Sequence, residues 1–194
     1  MVKINKIYTK NGDEGTTHLV GGTRIEKSSL RMSCVGEIDE LNAHLGLIRT
    51  VVQKREYSPE TTNLLAKIQN DLFDIGAYLA TPKDYEYADK MNTMNTEKIQ
   101  VLESAIDDAT SRVTELKSFV LPGGTELNSF LHIARAVCRR CERNLWQLNS
   151  EVELDKNVLV YLNRLSDLLF ALSRYFIKLS DQKEYLWEFS ASKS

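Results

Sequence analysis

Arg135, Arg139, Arg140, Glu142 and Arg143 fall within nine residues of one another. On a helix over Phe130–Leu148, at about 100° per residue, Asn128, His132, Arg135, Arg139, Glu142 and Arg143 share one arc of roughly a third of the circumference. Leu127, Phe130, Leu131, Ala134, Val137, Cys138, Cys141, Leu145 and Leu148 fill the neighbouring arc, which faces a core. A row of guanidinium groups repels itself unless an anion sits over it. The helix alone therefore fits either a solvated basic face or a clamp for a polyphosphate.

A second candidate is Thr9-Lys-Asn-Gly-Asp-Glu-Gly-Thr-Thr17. Its glycines let backbone N–H groups approach a ligand, and its threonines and lysine add hydroxyl and ammonium donors, a mixture suited to phosphates. No Gly-x-x-x-x-Gly-Lys-Ser/Thr and no dinucleotide fingerprint occurs, so a plain hairpin loop fits the same residues. Glu40 with His44 is a single i,i+4 pair and no Glu-x-x-His is present, which argues against a di-metal bundle core. Cys138-Arg-Arg-Cys141 has no second cysteine pair, and both sulfurs lie on the apolar arc, so all three cysteines read as packing residues. Asn163 fits a buried interhelical hydrogen bond as well as a ligand contact. Phe119, just before a Pro-Gly-Gly turn, reads as a core aromatic, with a pocket role open to it at a helix entrance.

The elements that must position these residues are helical. Ile38, Leu41, Leu45, Ile48 and Val52 recur three and four apart, as do Leu65, Ile68, Leu72, Ile75 and Leu79 after a break at Ser58-Pro59. Ile99, Leu102, Ile106 and Val113 mark a weaker third helix. Leu121-Pro-Gly-Gly124 is a turn, with Thr125 as N-cap of the arginine helix. Val158, Leu162, Leu165, Leu169, Leu172, Phe176 and Leu179 give a further seam. On that last helix Tyr161, Leu168 and Tyr175 form a second apolar line, expected to bury a subunit contact. Residues 83–95 read as a loop, and short strands are expected at Ile4–Thr9 and His18–Val20. No period is visible after Asp181. The fold expected is all-α, a five-helix up-and-down bundle with an N-terminal phosphate-binding loop. It is a single domain of residues 1–194: an N-terminal nucleotide-binding segment (1–31), the bundle (32–180) and a tail (181–194).

Composition excludes little but is consistent. A net charge of −2 and 27% charged residues give no global argument for nucleic acid or an anionic membrane. Residues 1–31 nevertheless hold six Lys or Arg against three acids, so basic charge is concentrated there and on the arginine helix. No apolar run of about 18 residues and no signal-peptide core at Met1–Asn5 is present, and the cytoplasm is the expected location.

Six segments together resemble the PduO-type ATP:cob(I)alamin adenosyltransferases: Tyr8-Thr-Lys-Asn-Gly-Asp-Glu-Gly-Thr16, Gly36-Glu-Ile-Asp-Glu-Leu-Asn42, Leu72-Phe-Asp-Ile-Gly76, Phe119-Val-Leu-Pro-Gly-Gly124, Ala134-Arg-Ala-Val-Cys-Arg-Arg-Cys-Glu-Arg143 and Tyr161-Leu-Asn-Arg-Leu-Ser-Asp167. The resemblance implies a homotrimer with active sites between subunits, in which cob(I)alamin attacks the 5′ carbon of ATP and triphosphate leaves. It implies ATP contacts from Thr9, Lys10, Asn11, Gly12, Thr17, His18 and Lys27 of one subunit, and from Arg139, Arg140, Glu142, Arg143 and Asn163 of its neighbour. Arg139, Asp39, Arg135 and Phe119 would serve the reaction. Phe119, Asp39, Arg135 and Phe170 would lie by the corrinoid, with Asp39 paired to Arg135 across the interface. Magnesium would be bound through the ATP phosphates, with no side-chain ligand assigned. A cobalamin reductase and a cobalamin-dependent enzyme are candidate partners; nucleic acid and membrane are not expected. The competing reading is a non-catalytic nucleotide-binding helical bundle, a scaffold or regulator that binds without turnover.

Overall fold

The computed structural model describes residues 8, 10–91 and 94–188. Five long helices dominate it: α1 (Leu30–Lys54), α2 (Pro59–Leu79), α4 (Thr96–Ser111), α5 (Glu126–Glu151) and α6 (Lys156–Leu179), with a single turn, α3 (Ala88–Met91), inside the segment expected to be loop. Each long helix starts where a polar side chain accepts a first-turn amide: Ser29 from Met32, Ser58 from Thr61, Asn95 from Lys98, Thr125 from Asn128 and Asp155 from Asn157. Such caps satisfy donors that the helix itself cannot. One apolar core runs through all five. Among the described residues no helix is long and apolar enough to cross a membrane.

Cross-helix bonds fix the directions. Glu37 meets Asn144 and Glu40 meets Arg140, and Asn163 and Ser173 meet Glu142 and Asn128, so α5 runs antiparallel to both α1 and α6. Arg164 of α6 meets Glu103 of α4, and Lys98 of α4 bridges Asp71 and Asp74 of α2. α5 thus sits between α1 and α6, with α2 and α4 closing the far side.

Two small antiparallel ribbons occupy opposite ends of this bundle. β1 (Thr16–His18) pairs with β2 (Arg24–Glu26), and the Val20 amide donates to the Ala80 carbonyl at 2.9 Å, seating that hairpin on the C-terminal end of α2. β3 (Val120–Leu121) pairs with β4 (Tyr185–Leu186) at the end where α5 starts and α6 finishes. One expectation changes here and another is not tested. The strand placed at His18–Val20 lies at Thr16–His18, because Gly21 and Gly22, at φ 85° and 92°, turn the chain right after Leu19–Val20. The strand expected at Ile4–Thr9 lies, apart from Tyr8, outside the described residues.

A second correction concerns α6. Tyr161 and Leu168 are fully buried within the chain. The Tyr161 hydroxyl donates to Asp71 Oδ2 at 2.9 Å, and the Arg112 guanidinium lies 5.6 Å from the Tyr175 ring centroid. Tyr161 and Leu168 are therefore covered within the chain, while Tyr175 stays half-buried beside Arg112, which caps α4, because a helix closed in by neighbours on two sides needs two apolar faces.

Candidate functional site

On α5 the apolar stripe is buried as its spacing requires, while Arg139 and Arg143 are exposed and Arg135 is half-buried. The six arginines of α5 and α6 divide into two sets. Arg140 pairs with Glu37 and Glu40 of α1, Arg164 with Glu103 and Asp167, and Arg174 with Glu184. Arg135, Arg139 and Arg143 have no carboxylate partner among the described residues. Arg135 Nε donates to His132 Nδ1 at 3.4 Å, and Arg143 Nη1 donates to the Arg139 carbonyl at 3.2 Å. Burial first, and then the neighbouring Arg139 cation, lower the pKa of the Arg135 guanidinium. Three uncompensated cations thus follow one another over about two turns of helix.

Glu142 is held beside them rather than opposite them. Asn163 Nδ2 donates to its Oε1 at 3.0 Å, and Arg164 Nη1 donates to Asn163 Oδ1 at 2.9 Å. Asn163 therefore makes the interhelical hydrogen bond and still stands next to the arginine row. Asn128 and His132, expected on the polar arc, are buried at 1% and 4% exposure. Asn128 accepts from the Gly123 amide and donates to the Ser173 carbonyl, tying the Pro-Gly-Gly turn to α6. His132 packs edge-on against Phe170, with ring centroids 6.1 Å apart, and its Nε2 is buried with no partner among the described residues. Burial, then Arg135, push its pKa down to about 4, with Glu184 pulling the other way, so the ring is neutral.

The N-terminal loop is shaped by its own bonds. Lys27 Nζ donates to the Gly12 carbonyl at 2.6 Å, and the Lys27 amide to the Gly15 carbonyl at 2.8 Å. A Cβ on Gly12 would come within 2.9 Å of Lys27 Nζ, and Gly15 holds φ 82°, a region where a glycine is unstrained. Lys10, Asn11 and His18 are exposed, and Gly12 and Thr17 are half-buried. Thr9 lies outside the described residues. The loop does not meet the arginines of its own chain: among the described residues no hydrogen bond or ion pair joins residues 10–27 to Arg139, Glu142, Arg143 or Asn163. Nor does exposed Asp39, on α1, pair with Arg135 within the chain.

Phe119 is not the core aromatic that its position before the turn suggested. It is 76% exposed, with its ring 6.0 Å from that of Trp187. The Trp187 amide donates to the Phe119 carbonyl, and Ser118 Oγ to the Trp187 carbonyl, both at 2.8 Å. The tail residues, which had no readable period, thus build this wall. Its one available signal was the aromatic content of Tyr185-Leu-Trp187. The three cysteines are buried as expected, with burial raising the thiols of Cys34 and Cys141 to about 11 and about 12.

Along α5 the order is therefore the Phe119–Trp187 wall at its start, then His132 with Phe170, then Arg135, Arg139 and Arg143 with Asn163: an aromatic stretch that leads into a cationic one.

Comparison with known proteins places the chain in a family. A family model described as cobalamin adenosyltransferase covers residues 7–176. The corrinoid adenosyltransferase of Bacillus subtilis is 44% identical over 172 residues, 87% of this chain and 85% of that protein. The cobalamin adenosyltransferase of Cupriavidus metallidurans is 36% identical over 186 residues, 96% of each chain. A variant of the PduO-type ATP:corrinoid adenosyltransferase from Lactobacillus reuteri, solved in complex with cobalamin and ATP, superposes with a TM-score of 0.88 at 40% identity, covering 95% of this chain and all of that one. The chain belongs to the cobalamin adenosyltransferase family.

Proposed function

We infer that the chain transfers the 5′-deoxyadenosyl group of ATP to the cobalt of cob(I)alamin, at a site completed by a second copy of itself. The cobalt electron pair attacks the 5′ carbon, a Co–C bond forms, the C5′–O bond breaks, and its electrons leave on triphosphate. The nucleophile belongs to the substrate, so the protein's tasks are to hold, align and neutralise charge. The observation that carries this reading is the row of three arginines without carboxylates on helices whose other arginines are all paired. Such preorganised cations stabilise the charge that develops on a departing polyphosphate.

Arg139 and Arg143 take the triphosphate, and the Asn163–Glu142 pair fixes the edge of that cradle. Arg140, expected among the ATP ligands, is already neutralised by Glu37 and Glu40, and we assign it to holding α5 against α1. Lys10, Asn11, Gly12, Thr17, His18 and Lys27, with Thr9 ahead of them, form the nucleotide loop. The separation within one chain supports a shared site. The loop sits by the C-terminal end of α5 and Phe119 by its start, and a 26-residue helix is about 39 Å long. The arginines stand part-way along it, and among the described residues no hydrogen bond or ion pair joins them to the loop of their own chain, which supports a loop supplied by another copy. A closed homotrimer, with Asp39 of one copy on Arg135 of the next, provides this three times over. Phe119 and Phe170 line the corrinoid side, where a dry apolar wall favours a cobalt without its lower ligand. Magnesium bound through the ATP phosphates would share the charge of the leaving group.

The test is complementation. Lys10→Ala and Arg139→Ala proteins, each inactive, are mixed under conditions where subunits exchange. Hybrid assemblies contain some sites with both residues intact and recover activity. No recovery after verified exchange contradicts a shared site.

A further inference from the structure

The wall that carries Phe119 has little to hold it in place by itself. β3 and β4 contribute two residues each, paired Val120 with Leu186 and Leu121 with Tyr185. A ribbon that short has no independent stability. Phe119 and Trp187 are 76% and 44% exposed, so both stand at the surface rather than within the core. The two strands are instead gathered at one side chain beneath them. Arg174 of α6 is 6% exposed. Its Nε and Nη2 donate to the two carboxylate oxygens of Glu184, at 2.7 and 3.1 Å, immediately before β4. The same Nη2 donates at 2.8 Å to the carbonyl of Thr114, on the segment that leads to β3. One turn further along α6, Lys178 Nζ donates to the Arg112 carbonyl.

A buried ion pair is a weak source of stability, since apolar residues of equal volume serve as well. Its value lies in geometry: a guanidinium fork on a carboxylate fixes both distance and plane. Here the fork fixes the tail, and the remaining donor direction fixes the segment before Phe119, against a helix that is part of the core. We propose that Arg174 is a positioning residue for the corrinoid, a latch that holds Phe119 and Trp187 at the height and tilt the macrocycle requires. This rests on the reading of Phe119 as the corrinoid-facing wall. Arg174 touches neither substrate. Its removal leaves the nucleotide loop and Arg139 untouched and lets the two strands drift apart.

The experiment uses the full chain with Trp146→Phe, so that Trp187 is its single tryptophan. Arg174→Met, Arg174→Lys, Glu184→Met and the double change Arg174→Met with Glu184→Met are compared with Phe119→Ala. For Arg174→Met the KM for cob(I)alamin rises about tenfold, the factor that about 1.4 kcal/mol of lost positioning represents, while the KM for ATP stays within about twofold. Acrylamide quenches Trp187 faster than in the parent. Arg174→Lys, with one point charge in place of the fork, falls between the two. Because Arg174 and Glu184 act as one unit, the double variant matches the single ones rather than multiplying them. If Arg174→Met does not fold, Glu184→Gln, which keeps the size and one acceptor, carries the same comparison.

An unchanged corrinoid KM in Arg174→Met, beside a raised one in Phe119→Ala, overturns the latch and leaves the wall. Parallel losses for ATP and corrinoid also overturn it, since they mean that Arg174 only holds the fold together. If Phe119→Ala itself leaves the corrinoid KM unchanged, the wall reading falls and the latch with it.

Discussion

Replacing Phe119 by alanine separates a pocket residue from a core residue, and the structure sets the expected size of the effect. Burying a whole phenylalanine side chain contributes about 1.5–3 kcal/mol. With Phe119 76% exposed, truncation removes roughly a quarter of that, about 0.5 kcal/mol. The contact with the Trp187 ring, at 6.0 Å and a 60° tilt, adds about 0.5–1 kcal/mol. The sum is about 1–1.5 kcal/mol, and at about 2–4 °C per kcal/mol for a chain of this size the melting temperature falls by about 2–6 °C. A core phenylalanine would cost about 3–5 kcal/mol, a fall of about 6–20 °C on the same scale. Activity should follow a different pattern. Transfer starting from chemically reduced cob(I)alamin falls less than transfer starting from cob(II)alamin, whose reduction depends on a cobalt freed of its lower ligand in a dry site. Melting temperature and both assays are measured on one preparation. A melting loss of core size with parallel activity losses would refute the assignment of Phe119 to the pocket, and so would full retention of both activities.

Other consequences are equally specific. Arg139→Ala removes an exposed cation with no carboxylate partner among the described residues, so unfolding free energy stays within about 0.5 kcal/mol while kcat falls about 10²–10³-fold; near-normal turnover would refute the phosphate clamp. His132 titrates at about 4 in the fold against an ordinary 6.5, so below pH 6.5 the unfolded chain takes up a proton that the folded chain refuses. Its contribution is therefore complete above pH 6.5 and is lost as pH falls towards 4, by up to about 3 kcal/mol. Urea titrations of the wild type and His132→Gln across that window should converge at low pH, and parallel curves would contradict a buried neutral imidazole. The raised thiols of Cys34, Cys138 and Cys141 predict no reaction with a thiol reagent near pH 8 until the protein is unfolded; rapid native labelling would contradict their burial.

The long helices were legible because apolar residues three and four apart leave one folded solution, and α1, α2, α5 and α6 bury the seams that spacing marked. The arginine row was legible for the same reason, since the 3.6 period places Arg135, Arg139 and Arg143 together whatever the rest of the chain does. Arg140 shows the limit of that reasoning. It lies about 100° round the helix from Arg139, and only the packing of α1 against α5 shows that Glu37 and Glu40 claim it. Asn128 and His132 fell on the polar arc by type and angle, yet both are internal: Asn128 makes hydrogen bonds to a buried turn and to α6 that an apolar residue could not make, and His132 packs its ring against Phe170. The tail left no pattern, since β4 is two residues long and its place is set by Arg174–Glu184 and by Gly124. Gly124 holds φ 95°, and a Cβ there would stand 2.8 Å from Ile177 Cδ1, so the turn has room for no side chain. The second apolar line of α6 read as a subunit surface because a sequence cannot say whether the covering helix belongs to the same chain.

The central claim is transfer chemistry, and one measurement meets it directly. Purified protein is given ATP and chemically reduced cob(I)alamin without oxygen, and cobalamin and phosphate products are quantified together. The expected result is one adenosylcobalamin and one inorganic triphosphate for each ATP consumed, with both products lost together in Arg139→Ala. ATP bound without consumption of cob(I)alamin, or ATP split to ADP and phosphate with no Co–C bond formed, would contradict it.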